Sequence, residues 1–365
     1  MQVGDVRQRV ASASARDLFG VLVILAVGLL ALDLVYAMWT GTLRPGLLAT
    51  LIWNGIIDSL YIALAAVGLS MTYSILRFAN FSHGDLLTAG AFSGWTVAYV
   101  IGGIGLAEFG SRIMLRADGG APPGQMQMTI LQQPLAIVLG LVLAVVATIL
   151  IALLIDRLVY KRMRDVGGIP LLIASVGVAL ALRYVIALFY TTSSRGVVAT
   201  APTWELPLER TANLHELTLV VIAVALIVGL HLLLQYTKLG KSMRAMSDNK
   251  DLALVTGIPT ERVITLTWVI GAGLAGAAGY LIVLDRGTLG INLGWFLLLL
   301  IFAAVIMGGI GSIYGALLGS LVIGLTINVS LIWIPGDLNE VAAFALMILV
   351  LIFRPEGILG GVETA

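Results

Sequence analysis

Ten stretches of mostly apolar residues recur along this chain, each close to the roughly 20 residues that a helix needs to cross a bilayer. They run Leu18–Trp39, Leu48–Leu76, Asp85–Leu106, Pro134–Ile155, Pro170–Tyr190, Glu216–Tyr236, Val263–Leu284, Leu293–Ile310, Ile313–Trp333 and Leu338–Phe353. Hydrophobic residues make up 59% of the sequence and charged residues 11%, against roughly 25% charged in a soluble domain. No soluble core could hide that much apolar surface, so the solvent must be lipid. The expected fold is all-α: a polytopic bundle of about ten spans with broken helices over residues 18–353. A polar tail (1–17, with Arg7, Arg9 and Arg16) precedes it and a short tail (354–365) follows. The first run has no small-residue cleavage site after it and reads as a retained span rather than a signal peptide. The eighth and ninth runs nearly touch at Gly311–Ser312, which leaves either two short spans or one broken helix.

Lys and Arg set the orientation. With the N-terminus in the cytoplasm, most of the 21 basic residues fall on the cytoplasmic side, carried mainly by segments Asp156–Gly168 and Thr237–Arg262. Both termini are then cytoplasmic. Two long outer loops result, Glu108–Gln133 and Thr191–His215. The first holds Gly119, Gly120, Pro122, Pro123 and Gly124, which is turn and coil chemistry. The second holds Trp204 between Pro202 and Pro207. These loops read either as a docking surface for an external partner or as plain connectors with an interfacial Trp.

Several function classes drop out. The net charge of +1 carries no signature for nucleic acid. With no cysteine there is no disulfide or thiolate site, and His83, His215 and His231 are too scattered for a His-based metal site. No Gly-x-x-x-x-Gly-Lys-Ser/Thr loop, Gly-x-Ser-x-Gly elbow or His-Glu-x-x-His pair occurs, so neither ATP hydrolysis nor hydrolase chemistry is expected of this chain, and no cofactor.

Charges inside spans are costly and need partners. Asp58 and Arg183 lie at comparable depths from the outer side and are expected to pair, with Asp33 as the competing partner for Arg183. They are also the only features favouring a self-contained, ion-coupled transporter. His231, near a span end, is expected to snorkel. Asn80–Asp85 reads as a span boundary at which Asn80 or Ser82 caps the next helix and Asp85 occupies its first turn. Gly311, Gly315 and Gly319 are spaced by four and form a bare face for close packing, while Gly308 and Gly309 break the helix before it. Carbonyls freed there are tolerable only in protein or beside a wet path. Gly271, Gly273, Gly276 and Gly279 read as ordinary small-residue packing.

Between Gly240 and Arg262 the sequence GKSMRAMSDNKDLALVTGIPTER has helical composition to Thr256, then a stop at Gly257 and Pro259. Met243, Met246, Leu252 and Val255 offer an apolar face, and Lys241, Arg244, Asp248 and Lys250 a polar one. Such a helix can seat in a groove on a partner, though the same composition describes a solvated connector.

Read as text, Arg244–Val263 resembles the coupling loop of the LivH/LivM family of ABC permeases. The matching positions are Arg244, Ala245, Asp248, Asp251, Ala253, Gly257, Ile258, Arg262 and Val263. NGIIDSLYIAL from Asn54 to Leu64, which includes Asp58 and Tyr61, resembles the early span of LivH-type subunits. NFSHGD from Asn80 through Phe81 and His83 to Asp85 resembles their Asn-Phe-Ala-His-Gly-Asp signature, with Ser82 in place of Ala. GGIGSIYGA from Gly308 to Ala316, with Gly309, Gly311 and Ser312, and FRPEGILG from Phe353 to Gly360 match the closing motifs. The His-Gly-Asp form points to the LivH branch. The extra N-terminal span and the long Glu108–Gln133 loop depart from it.

This resemblance implies a multi-pass inner-membrane permease subunit of an ABC importer for branched-chain amino acids. Relatives serve urea, short amides or aromatic acids. Its implied partners are a second, LivM-like permease chain, two ATP-binding subunits and an external substrate-binding protein. The ATPase would dock on 237–262, chiefly on Arg244–Pro259 with Leu252. The substrate path would lie along Asn54, Asp58, Tyr61, Asn80, Phe81, His83 and the Gly308–Ser312 break.

Overall fold

The computed structural model describes residues 15–109, 123–164, 166–207 and 210–360. The first fourteen residues of the N-terminal tail, the middle of the first long loop and the last five residues lie outside them. Each of the ten apolar runs is helical: α1 (Ala15–Trp39), α2 (Pro45–Leu76), α3 (Ser82–Gly102), α4 (Pro134–Leu158), α5 (Gly168–Tyr190), α6 (Leu214–Tyr236), then, after the short α7 (Lys238–Asp248) and α8 (Lys250–Val255), α9 (Thr260–Arg286), α10 (Leu293–Gly308), α11 (Ile313–Val329) and α12 (Asn339–Phe353). At 1.5 Å per residue, the 32-residue α2 is about 48 Å long, more than a hydrocarbon layer of about 30 Å. The chain is a multi-pass membrane protein.

α2, α3, α9, α10 and α11 form the interior. They come close because small residues meet at the crossings: a Cβ on Gly68 of α2 would stand 2.6 Å from the carbonyl oxygen of Gly271 in α9. Gly90 of α3 and Gly276 of α9 both close on Thr148 of α4 in the same way. Without side chains between them, backbones gain dispersion contact that lipid cannot supply. Larger groups fill the remainder; Trp95 stacks on Tyr280 with centroids 4.8 Å apart and donates its indole N–H to the Tyr280 carbonyl. Apolar residues on α4, α5, α6 and α12 point outward, among them Leu150, Ile173, Tyr184, Val221 and Ile348. That is the surface expected of helices bathed in lipid.

The eighth and ninth runs are two antiparallel helices. Gly308 packs on Gly315, and Gly319 on Ala304, across a turn in which Gly309 and Gly311 have φ of +111° and +88°. Gly311 therefore precedes α11 and does not share a helical face with Gly315 and Gly319, as the spacing had implied. The carbonyls freed at the break are taken up within the protein, by the backbone N–H groups of Ile358 and Leu359 in the FRPEGILG segment.

The second long loop is more ordered than its Pro-rich composition implies. β1 (Arg195–Gly196) pairs antiparallel with β4 (Thr288–Leu289), just beyond α9, while β2 (Thr203–Leu206) and β3 (Arg210–Asn213) form a hairpin. Asn213 and Glu216 make a reciprocal capping box that starts α6 at Leu214. Trp53 donates to Glu216, and the Arg210 guanidinium lies 3.8 Å from the Trp53 ring centre. Burial pulls the Arg210 guanidinium down from its ordinary value, and Glu216 opposes that shift.

Candidate functional site

Two sites lie at opposite ends of α9. At its start, Thr237 caps α7 by accepting the Gly240 N–H, and Asn249 ends α7 and caps α8 by accepting the Leu252 N–H. The expected single helix to Thr256 is thus broken at Asn249, whose short side chain competes with the helical backbone. Gly257, at φ +85°, stops α8, with the Ile258 N–H bonded back to the Ala253 carbonyl. Met243, Met246 and Ala253 are buried against the bundle, and the Arg77 guanidinium ties the segment to the end of α2 through the Ser247 carbonyl. Arg244, Ala245 and Ile258 are half-buried, whereas Asp248, Asp251, Gly257 and Pro259 are exposed. The expected apolar face is split. Met243 and Met246 face inward, but Leu252, Leu254 and Val255 are 60%, 59% and 84% exposed.

The Asn80–Asp85 segment lies at the boundary between α2 and α3, as expected, with its polar side chains buried within the bundle. Phe81 donates its N–H to Ser175, well within α5, and its ring lies 5.0 Å from that of Phe302 in α10. Asn80 Oδ1 accepts from the Ser82 N–H and hydroxyl and from Tyr160, but the N-cap position of α3 is Phe81, which makes no side-chain cap, rather than Asn80 or Ser82 as expected. The His83 ring is hydrogen-bonded to the Ala65 carbonyl in the middle of α2. Asp85 occupies the first turn of α3 and receives two bonds of 3.0 Å from Arg183 of α5. Arg183 also lies 4.4 Å from the Trp295 ring centre. The expected Asp58–Arg183 pair therefore does not form: α5 packs on α3, while α2 lies against α11 and α9. Asp33 is not the partner either, since it accepts from Trp333. His231, expected to snorkel, is exposed and bonds to the Tyr314 hydroxyl at 2.8 Å.

At the far end of α9, Asp58 accepts from the Tyr61 hydroxyl and from Asn328 Nδ2 of α11, the latter at 2.7 Å. Arg286 donates to the same Tyr61 oxygen at 3.0 Å. Asn54 lies on the exposed side of α2, one turn from Asp58. Sequence reading named Asn54, Asp58 and Tyr61 but missed Arg286 and Asn328. The available signal was the Asp285–Arg286 pair closing an otherwise apolar run. Gly308, Gly309, Gly311 and Ser312 sit at the other end of the molecule, with Gly311 beside Ser74 and the Ser312 carbonyl accepting from Ser70. Among the described residues, no group of three His, Asp or Glu is placed to hold a metal ion.

Over residues 51–351 the chain matches the family described as the branched-chain amino acid transport system permease component. It belongs to that family. The permease is 29% identical over 318 residues to the high-affinity branched-chain amino acid transport permease LivH of Escherichia coli K12, covering 85% of this chain and 95% of that protein. It is 27% identical over 315 residues to BraD of Pseudomonas aeruginosa, with the same coverage. A shorter match, 31% over 148 residues, covers 38% of the permease and 43% of the E. coli galactofuranose transporter permease YtfT. No solved structure matches the chain. The family is a transport component and not an enzyme, so its members work with the other parts of an ABC system.

Proposed function

We propose that this permease carries branched-chain amino acids across the inner membrane, with a second LivM-like permease chain completing the channel. Two ATP-binding subunits drive it and an external binding protein supplies the substrate. The basic face with α7 and α8, and both termini, lie in the cytoplasm; the β2–β3 hairpin with exposed Trp204 lies outside, where a binding protein docks. One observation carries the ATPase assignment. Leu252, Leu254 and Val255 are exposed on a short helix outside the membrane-length helices, an apolar face of the kind that a protein groove covers. The substrate path follows α2 from Asn54, Asp58 and Tyr61, past Asn80, Phe81 and His83, to the α10–α11 break at Gly308–Ser312. Alternation between outward and inward states comes from differential binding of those states by the ATPase.

Co-reconstituting the permease with its companion subunits and binding protein tests this reading. ATP-driven uptake of leucine is expected, with none from an ion gradient alone. Gradient-driven uptake by the permease without ATPase would contradict it.

A further inference from the structure

On the face opposite α7–α8, a recess opens between the end of α9 and the starts of α10 and α12. Arg286 and Glu340 both line it, with Asn292 between the helices. Its floor is aliphatic: Ile291, Leu297 and Leu300, all buried. One wall is pinned by the β1–β4 pairing, which brings Ser194 against Gly290.

Arg286 is anchored from one side. Tyr61 holds it from behind through one N–H, and Tyr61 is itself fixed by Asp58, which Asn328 fixes in turn. A guanidinium has five N–H donors. Among the described residues the others have no partner, although the carboxylates of Asp58 and Asp285 act on the charge. The side chain is exposed. Glu340 is exposed on the first turn of α12, also without a partner among the described residues.

We propose that this recess binds the amino-acid substrate on the outer side of the permease, Arg286 taking its carboxylate, Glu340 its ammonium and the Ile291–Leu297–Leu300 floor its aliphatic side chain. The assignment rests on the proposed import of branched-chain amino acids. Within the lining, one cation, one anion and an apolar floor match a zwitterion with a hydrocarbon tail, Asp58 and Asp285 acting on Arg286 from outside it. The lining also offers the hydroxyls of Thr192, Ser194 and Thr288 and the Asn292 amide, but a neutral sugar would leave both charges unmatched, and a bare cation would meet Arg286 as a like charge.

The chain has no cysteine, so a lone thiol can report on occupancy. Ser194→Cys places one on the recess wall with little change in shape, and Ser193→Cys places one next to it but outside the lining. The full transporter in proteoliposomes, without binding protein, is labelled with a maleimide in the presence of leucine, 4-methylpentanoate (no ammonium) or 3-methylbutylamine (no carboxylate). Leucine is expected to slow labelling of Ser194→Cys and not of Ser193→Cys. Each half-charged analogue should need about tenfold more to protect equally, the factor carried by about 1.4 kcal/mol. Adding Glu340→Gln should erase the advantage of leucine over 4-methylpentanoate and retain that over 3-methylbutylamine. Adding Arg286→Gln should do the reverse. No protection, equal protection by all three compounds, or equal protection of Ser193→Cys overturns the proposal. Leucine uptake with binding protein is read on the same preparation. Uptake without protection defeats the recess alone, and absence of ATP-driven uptake defeats the import function separately.

Discussion

The two arginines associated with the interior end differently. Arg183 is 11% exposed and locked to a fully buried Asp85 by two parallel bonds, with Trp295 against its face. Arg286 is bonded on one side only and open on the other. The first is closed: both Asp85 oxygens are taken by its Nε and Nη2, and it fastens the lipid-facing α5 to the interior. The second is fixed in place but unspent. A charge that costs free energy in a membrane persists either because it holds the fold or because it meets something that comes and goes. The geometry separates these two cases where sequence depth could not.

The largest expected effect breaks the closed site. Arg183→Met leaves Asp85 buried and unpaired, and should lower stability by about 3–5 kcal/mol. Adding Asp85→Leu should restore a good part of that loss. A double-mutant cycle on unfolding in detergent measures the coupling; additive single effects would mean that the pair does not fasten α5. Arg286→Gln sharpens the contrast. Leucine transport efficiency should fall about tenfold, equivalent to about 1.4 kcal/mol, with a smaller change in stability. The smallest structural effect is expected at α8. Leu252→Ser with Val255→Ser, both exposed, should shift stability by no more than about 0.5 kcal/mol, yet abolish the stimulation of ATP hydrolysis by loaded binding protein. Normal stimulation would show that α8 does not carry the coupling. These positions are a cleaner probe than Ala253, which is buried, so that a larger side chain there would disturb the segment itself.

The helices were legible because run length alone assigns them: lipid demands about 20 apolar residues, and little else in the sequence imitates that. The family motifs were legible as text. Which helices are neighbours was not. Depth along each helix axis matched Asp58 to Arg183, but pairing depends on the packing of α5 on α3, made through Asp85–Arg183 and Phe92–Tyr190, and of α2 on α11, where Gly55 and Gly324 let the backbones close. The start of α3 was legible, but the depth at which its polar groups are buried was not. Asn80, Ser82, His83 and Asp85 look like exposed polar residues until Tyr160, Ala65 and Arg183, all distant in sequence, satisfy them. At α7–α8 the composition gave the helix, but the capping preference of Asn249 was overlooked and the apolar face drawn too broadly. Arg286 escaped because it closes a helix, where a basic residue is unremarkable by itself.

The most direct test compares Arg183→Met and Arg286→Gln side by side in one preparation. It measures thermal unfolding and ATP-driven leucine uptake per folded transporter. Arg183→Met is expected to unfold early while its folded fraction still imports leucine, and Arg286→Gln to melt near the parent and import poorly. The opposite assignment, with Arg286→Gln unstable but fully active when folded, or Arg183→Met stable and inactive, would contradict this expectation.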